Sequence, residues 1–446
     1  SENTETLYKQ IKKIPPAHYM VINRDSSSIK RYWDLNPGFE LKLDSEEAYI
    51  EQFREKLNEA VKCRLRSSYP VGAELSGGID SSAVTGIASQ YTNLNTFSHT
   101  LPDWALEKHF PYEDEKIFIT QVNNYCQINE VHHLTGEKEG ILKSLKKGVS
   151  LYEGPIQGTL SLFSDPIYKE AGELNNRTLL SGFGGDELVS YQGSGIYKEW
   201  IYKNRLKKLL REIKTQPHKW KTIKKAAGSL LGVYLHTFKK IAGKNPEYKV
   251  PKWAYDIYRE LFINPDVIDA KEFKKHFFQY KRLPNDPDIR WRQYRRFHYS
   301  YFPIRLENCY LAAQARKVEY RYPLLDKRLI EFYLSLPSDI KIKNGWGRYI
   351  LRKSLDGLLP EKIQWRNDKV GNTIPSVNLR LNRDYEAVKE LIEKAKNSDI
   401  KHYIDYEKAL NMLERITHRT KDPKGRILPM AFYNALMLLL YQLEEH

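Results

Sequence analysis

Cysteine is scarce: Cys63, Cys126 and Cys309 are the only three in 446 residues. Three scattered thiols build neither a disulfide framework nor a thiolate zinc site, and they suit a reducing cytoplasm. No run of about 18 uninterrupted apolar residues exists, so a transmembrane helix is excluded. Ser1 to Ile11 is polar and lacks the basic-then-apolar build of a secretory signal. Internal repeats and low-complexity tracts are absent too. Acidic residues are in deficit, with 56 Asp and Glu against 72 Lys and Arg, a net charge of +16. What remains is a globular balance, 41% hydrophobic and 29% charged, in a chain long enough for two or three domains.

The cationic surplus is local. Between Ile196 and Val250 stand 15 Lys or Arg, three Glu and no Asp, a net of +12. A stretch of this kind fits an acidic peptide, an anionic surface or RNA better than it fits nucleic acid wrapped along the whole chain. Lys198, Lys203, Arg205, Lys207, Lys208, Arg211 and Lys214 fall on more than one helical face. Leu209, Leu210 and Ile213 supply one apolar edge, and Leu230, Leu231, Val233, Tyr234 and Phe238 another. A solvated basic helix is the structural alternative.

The spacing of apolar residues outlines the elements. His18–Ile22 and Ile29–Trp33, with turn residues Asn23–Ser28 between them, predict a β-hairpin. Ala48, Ile50, Phe53, Leu57, Val61 and Leu65 predict a helix from Ser45 to Arg66. Strand-like runs follow at Val71–Leu75, Leu94–Thr100, Val131–Leu134 and Thr178–Ser181, with helical patterns between them. Such alternation implies an α/β fold, a parallel twisted sheet with helices on both faces, whose ligands sit outside the carboxyl ends of the strands. Beyond residue 196 the pattern is helical, broken by Pro217, Gly228, Gly232 and Gly243. A large helical region then runs from Ile289 to the end. The expected division is 1–40, 41–195, 196–288 and 289–446.

Leu75-Ser76-Gly77-Gly78-Ile79-Asp80-Ser81-Ser82 follows a predicted strand and opens a predicted helix. Glycines let backbone N–H groups approach an anion, the serines add hydroxyl donors, and the helix N-terminus adds partial positive charge. Asp80 would be repelled by bare phosphate and makes sense there with a divalent cation. A turn that needs glycine for geometry alone is the alternative, and it leaves the serines and Asp80 unexplained.

Ser76–Ser82 resembles the PP-loop of ATP pyrophosphatases, which split ATP between its α and β phosphates. Three later segments narrow the resemblance to the asparagine synthetase family. They are Ser181-Gly182-Phe183-Gly184-Gly185-Asp186-Glu187-Leu188, then Val318–Asp326 with its Glu-x-Arg-x-Pro-Leu-Leu-Asp pattern, and Arg348–Arg352 with Arg366-Asn367-Asp368-Lys369. Residues 11–35 look like the tail of that family's N-terminal glutaminase domain.

The resemblance implies a PP-loop sheet and an enzyme that adenylates an Asp or Glu side-chain carboxylate for attack by an amine, forming AMP and pyrophosphate. Its cofactors would be ATP and Mg²⁺, and its carboxylate substrate aspartate or an acidic peptide. Asp80 and Asp186 would share the magnesium. Ser76, Gly77, Gly78, Ser81 and Ser82 would cradle pyrophosphate, while Leu75, Ser98 and His99 would face adenosine and Gly182 would complete the nucleotide site. Lys369 would stabilise the adenylate. Glu319 would act in catalysis or form a structural ion pair with Arg321.

Two departures qualify this. Phe183 stands where asparagine synthetases carry glutamate and β-lactam-forming relatives carry tyrosine, so proton handling would move elsewhere, with Glu307 as the candidate. The glutaminase nucleophile, a cysteine after the initiator methionine, has no counterpart at Ser1-Glu2-Asn3. Either the chain is a fragment starting near that domain's end, or the enzyme does not draw ammonia from glutamine. A lasso-peptide-type macrolactam cyclase and an RNA-modifying PP-loop ligase are the alternatives.

Overall fold

The computed structural model describes residues 10–108, 114–154, 158–193, 195–215, 219–241, 288–298, 301–368, 376–417 and 429–444, with a few isolated positions besides. The expected hairpin forms from β1 (His18–Ile22) and β2 (Ser27–Arg31), with His18 opposite Arg31. Its second strand starts two residues earlier than predicted, because Asn23 N closes the turn on Ser26 O at 2.8 Å. Helix α1 (Glu46–Lys62) begins where Ser45 Oγ accepts a hydrogen bond from Ala48 N at 3.1 Å. It buries Tyr49, Phe53, Leu57, Ala60 and Val61, residues that recur at helical spacing.

Five strands form one parallel sheet: β3 (Val71–Glu74), β4 (Leu94–His99), β5 (Glu130–Leu134), β6 (Thr178–Leu180) and β7 (Glu319–Arg321), in the order β5-β4-β3-β6-β7. Alternate side chains serve two cores. Val71, Ala73 and Leu180 join the core that contains α1 and α2 (Ile79–Ala88). Phe97 and Leu179 join the other, beneath the helix Gly158–Glu173. Strand β7 was not foreseen. Its three residues, Glu319-Tyr320-Arg321, carry no apolar alternation, and only the register Thr178↔Glu319 makes them a strand.

The basic segment is helical, as α3 (Ile196–Tyr202), α4 (Leu206–Thr215) and α5 (Lys219–Ile241). The expected breaks at Gly228 and Gly232 do not occur, and α5 runs through both. A helical glycine costs only about 1 kcal/mol, which a helix of this length absorbs. Pro217 and Gly243 lie outside the described residues. Further along come α6 (Tyr301–Ala315), α7 (Lys327–Ser335) and α8 (Tyr349–Ser354). The later helices build a separate apolar core around Ile392, Leu413, Phe432 and Leu436, packed on Ile141 and Leu145. No helix of the described residues is long and apolar enough to cross a membrane.

Candidate active site

Strands β3 and β6 are neighbours, yet the chain leaves β3 toward β4 and leaves β6 toward β7. The connections therefore part at their carboxyl ends and leave a crevice there. A cavity of about 1230 Å³ opens at this place, lined by Leu75, Ser76, Gly78, Asp80, Ser81, Ser98, Gly182 and Asp186 among the predicted residues. Gly77 and Ser82, also predicted, do not line it.

The loop after β3 is held by its own serines. Ser76 N donates to Ser81 Oγ at 3.1 Å, and Ser81 Oγ donates to Gly78 O at 3.2 Å. No side chain caps α2, so its first amides keep their donors for an anion. Ser98 Oγ donates to Leu75 O at 2.7 Å, tying β4 to the loop. Beside it His99 Nε2 lies 2.6 Å from Phe163 O, and burial lowers its pKa to about 4, which keeps the ring neutral.

The second glycine loop meets the first through backbone. A Cβ on Gly182 would lie 2.6 Å from Ser81 N, and one on Gly185 would lie 2.3 Å from Asp80 Cγ. Asp186 belongs to a single wide helical turn, Gly185–Val189, and caps nothing. Its carboxylate accepts a hydrogen bond from Arg348 Nη2, while Arg348 Nη1 lies 4.0 Å from Asp80 Oδ2. One guanidinium thus reaches both predicted metal ligands.

Burial raises the pKa of Asp80 and the Arg348 charge opposes it. Asp80 Oδ1 is buried and has no hydrogen-bond partner among the described residues. That orphan oxygen, with a second carboxylate at hand, fits a magnesium ion. Mg²⁺ commonly takes one or two protein carboxylates and completes its shell with phosphate oxygens and water. No cluster of three or more His, Cys, Asp or Glu suited to a metal occurs among the described residues.

Cations that were noted in sequence without a role complete the wall. Arg352 donates to Gly347 O at 3.0 Å and to Arg366 O at 2.8 Å, and burial lowers its pKa to about 10. Arg366 forms a two-pronged pair with Glu115, reaching Oε1 at 2.9 Å, and lies 3.4 Å from Gly77 O. Lys369 lies outside the described residues.

Phe183 also lines the cavity, with the Arg305 guanidinium 4.4 Å above its ring. Near it Glu74, at the end of β3, accepts hydrogen bonds from the Tyr320 hydroxyl and, at 3.4 Å, from Ser181 Oγ. Glu74 and Arg305 were missed in sequence. For Glu74 the signal was a lone charge in the buried run Val71–Leu75.

Two candidates are not brought in. Glu307 pairs with Lys13 at 2.8 Å, and its side chain is 48% exposed. Arg305 faces the cavity, and a residue two positions further along lies about 200° around the helix, on the opposite side. Glu319 pairs with Arg321 at 2.6 Å, and Arg321 donates to Arg64 O and Arg66 O. Asp326, last of that motif, caps α7 and binds Arg64 at 2.8 Å. This motif braces β7 and α7 against the body. It reaches the site through Leu325, whose Cδ2 would stand 2.3 Å from a Cβ on Gly184.

The family model for asparagine synthase matches residues 52–442. The chain is 26% identical over 424 residues to asparagine synthetase (glutamine-hydrolyzing) 1 of Bacillus subtilis (strain 168), covering 92% of this chain and 62% of that protein. It is 33% identical over 187 residues to a putative asparagine synthetase (glutamine-hydrolyzing) 2 of Methanocaldococcus jannaschii, covering 41% and 34%. Over 198 residues it is 27% identical to amidase chyE of Penicillium rubens, covering 41% and 29%. The chain spans less than two thirds of the length of each of these relatives. With the loops in family order around one cavity and the match running through most of its length, this chain belongs to the asparagine synthase family.

Proposed function

We propose that this chain is an ATP-dependent amide ligase that adenylates an Asp or Glu side-chain carboxylate. A carboxylate oxygen attacks the α-phosphorus of ATP, pyrophosphate leaves, and an amine then displaces AMP from the acyl adenylate. The observation that carries this reading is the meeting of Asp80 and Asp186 on Arg348 beside the Ser76–Ser82 loop.

Three anionic groups come together in this reaction, so the work of the protein is charge neutralisation and alignment. The amides of Gly77–Ser81, at the start of α2, receive the pyrophosphate. Arg348 and Arg352 offset the remaining charge. Leu75, Ser98 and Gly182 border the nucleoside. Asp80 and Asp186 would hold magnesium, which neutralises phosphate charge when bound. Lys369 keeps the role implied by its motif, whereas Glu307 and Glu319 are given none. The three cysteines are free thiols, in keeping with a reducing cytoplasm.

Pyrophosphate release should be measured with L-aspartate plus ammonia, and with acidic peptides. Asp80→Ala and Asp186→Ala should each reduce it by about 100-fold or more. Release that survives both substitutions would remove the metal assignment.

A second reading, closure of a peptide macrolactam, is favoured by the wall that α5 contributes. Gly228, Ser229 and Gly232 line the cavity, while Leu230, Leu231, Tyr234 and Phe238 on the same helix are exposed. An acidic peptide could lie along this basic, apolar helix with its carboxylate inside. Activity with peptides and none with aspartate would select this reading.

A further inference from the structure

Amide formation leaves a surplus proton on the attacking nitrogen, so the cavity needs a base. The described residues that line it include six candidates: Glu74, Asp80, His99, Glu115, Asp186 and Asp368. Asp80 and Asp186 are engaged at Arg348. Arg366 holds both oxygens of Glu115 and also binds Asp368 at 2.9 Å. His99 is turned to the Phe163 carbonyl, and its pKa near 4 makes it a weak acceptor. Glu74 remains.

Its surroundings suit the task. Glu74, Ser181 and Tyr320 come from the adjacent strands β3, β6 and β7, in the last position of β3, just past the end of β6 and in the middle of β7. Oε2 takes the hydrogen bonds from Tyr320 and Ser181, whose own oxygens lie 2.7 Å apart. Oε1 has no hydrogen bond among the described residues. Burial raises the pKa of Glu74, and Tyr320, Arg305 and Ser181 limit the rise, so the carboxylate is more basic than one in water. Phe183, with Phe302 at 5.6 Å and Tyr322 at 6.0 Å, forms an apolar screen beside it.

We propose that Glu74 accepts the proton of the attacking amine during amide formation, with Tyr320 and Ser181 as positioning residues that hold Oε2 and leave Oε1 to the cavity. The inference rests on the adenylation reading above. The nitrogen lone pair forms the C–N bond, and the bond from the acyl carbon to the AMP phosphate oxygen breaks. AMP leaves with that electron pair, and the proton lost from nitrogen passes to Glu74, which becomes a neutral acid. No other reactant is required.

The test separates the two half-reactions. Exchange of labelled pyrophosphate into ATP reports adenylation. Hydroxamate formation from hydroxylamine, an amine that stays neutral near pH 7, reports acyl transfer. L-aspartate and a set of Asp- and Glu-containing peptides serve as carboxylates. In Glu74→Gln, exchange should stay within about threefold of the parent, while kcat for hydroxamate falls about 10²–10⁴-fold at unchanged KM for hydroxylamine.

The parent kcat should rise with pH through the Glu74 ionisation and then level off, and Glu74→Gln should abolish that limb. Facing Glu74 are Tyr320, Ser181, Arg305, Tyr168, Tyr322 and Cys309. Burial pushes the three tyrosines and the thiol further above neutrality, so none of them produces the limb. Tyr320→Phe removes a bond that stabilises the carboxylate, and should move the limb to higher pH at a smaller loss of rate. Should Glu74→Gln lose thermal stability, Glu74→Asp carries the test, and it should keep the limb at reduced rate.

Equal losses in exchange and hydroxamate would reveal a structural role and overturn the assignment. A raised KM with unchanged kcat would make Glu74 a binding residue and overturn it too, as would no change at all. A parent protein that exchanges no pyrophosphate with any carboxylate would instead overturn the adenylation reading.

Discussion

Gly185 leaves no room for a methyl group, since its Cβ would meet Asp80 Cγ at 2.3 Å. The neighbour that must yield is the carboxylate on which the site depends. Gly185→Ala should therefore displace Asp80 by about an ångström and cut pyrophosphate release roughly 100-fold. The thermal midpoint should move by only a few degrees. Parent-like release in a folded Gly185→Ala protein would show that the position of Asp80 does not matter. Much at this scale was legible. Both glycine loops and both aspartates stand out because chemistry near phosphate limits which residues fit. Arg348 as the group between them was not legible, because nothing local links position 348 to 80 or 186.

Elements were legible where they bury an apolar face. Helix α1 and strands β3 to β6 fall close to their predicted positions, since period and burial agree there. Strand β7 and the unbroken α5 were not legible. One owes its existence to a neighbouring strand, and the other runs through residues that usually end helices. The glycines of α5 permit a direct check. A Cβ on Gly228 or Gly232 meets nothing within 4 Å. Alanine at both should raise stability by about 0.5–1 kcal/mol each, read as a higher unfolding midpoint. A lower midpoint would mean that α5 is not continuous there.

Across the whole molecule, the basic segment is tied to the body by ion pairs. Lys203 binds Asp288 at 2.6 Å, Arg205 lies 3.8 Å from Glu40, and Lys208 meets Asp339 at 2.5 Å. Part of the cationic surplus is thus structural. Behind these pairs Lys341 is fully buried, donating to Gln293 Oε1 at 2.7 Å and to Leu334 O at 3.1 Å.

Burial lowers the Lys341 pKa to about 7; nearby Glu199, Asp288 and Glu40 oppose the fall, and the Arg290 charge adds to it. The unfolded chain keeps this proton until about pH 10.4, so above pH 7 it binds more protons than the folded one. Stability from this group therefore rises with pH from about 7 upward. Between pH 7 and 8.5 the parent should gain up to about 1.4 kcal/mol per pH unit over Lys341→Met, measured by denaturant unfolding. Parallel curves for the two proteins would contradict a neutral buried lysine.

By itself the sequence determined the α/β class, the order of the phosphate loops and the residues able to meet an anion. Those properties follow from local periodicity, backbone freedom and side-chain chemistry. Only the tertiary structure decided that Arg348 joins the two aspartates, that Glu307 faces away from the cavity and that Glu74, Ser181 and Tyr320 meet across three adjacent strands. Those outcomes depend on sheet order and helix register, which bring together positions more than a hundred residues apart and leave no mark on any one segment.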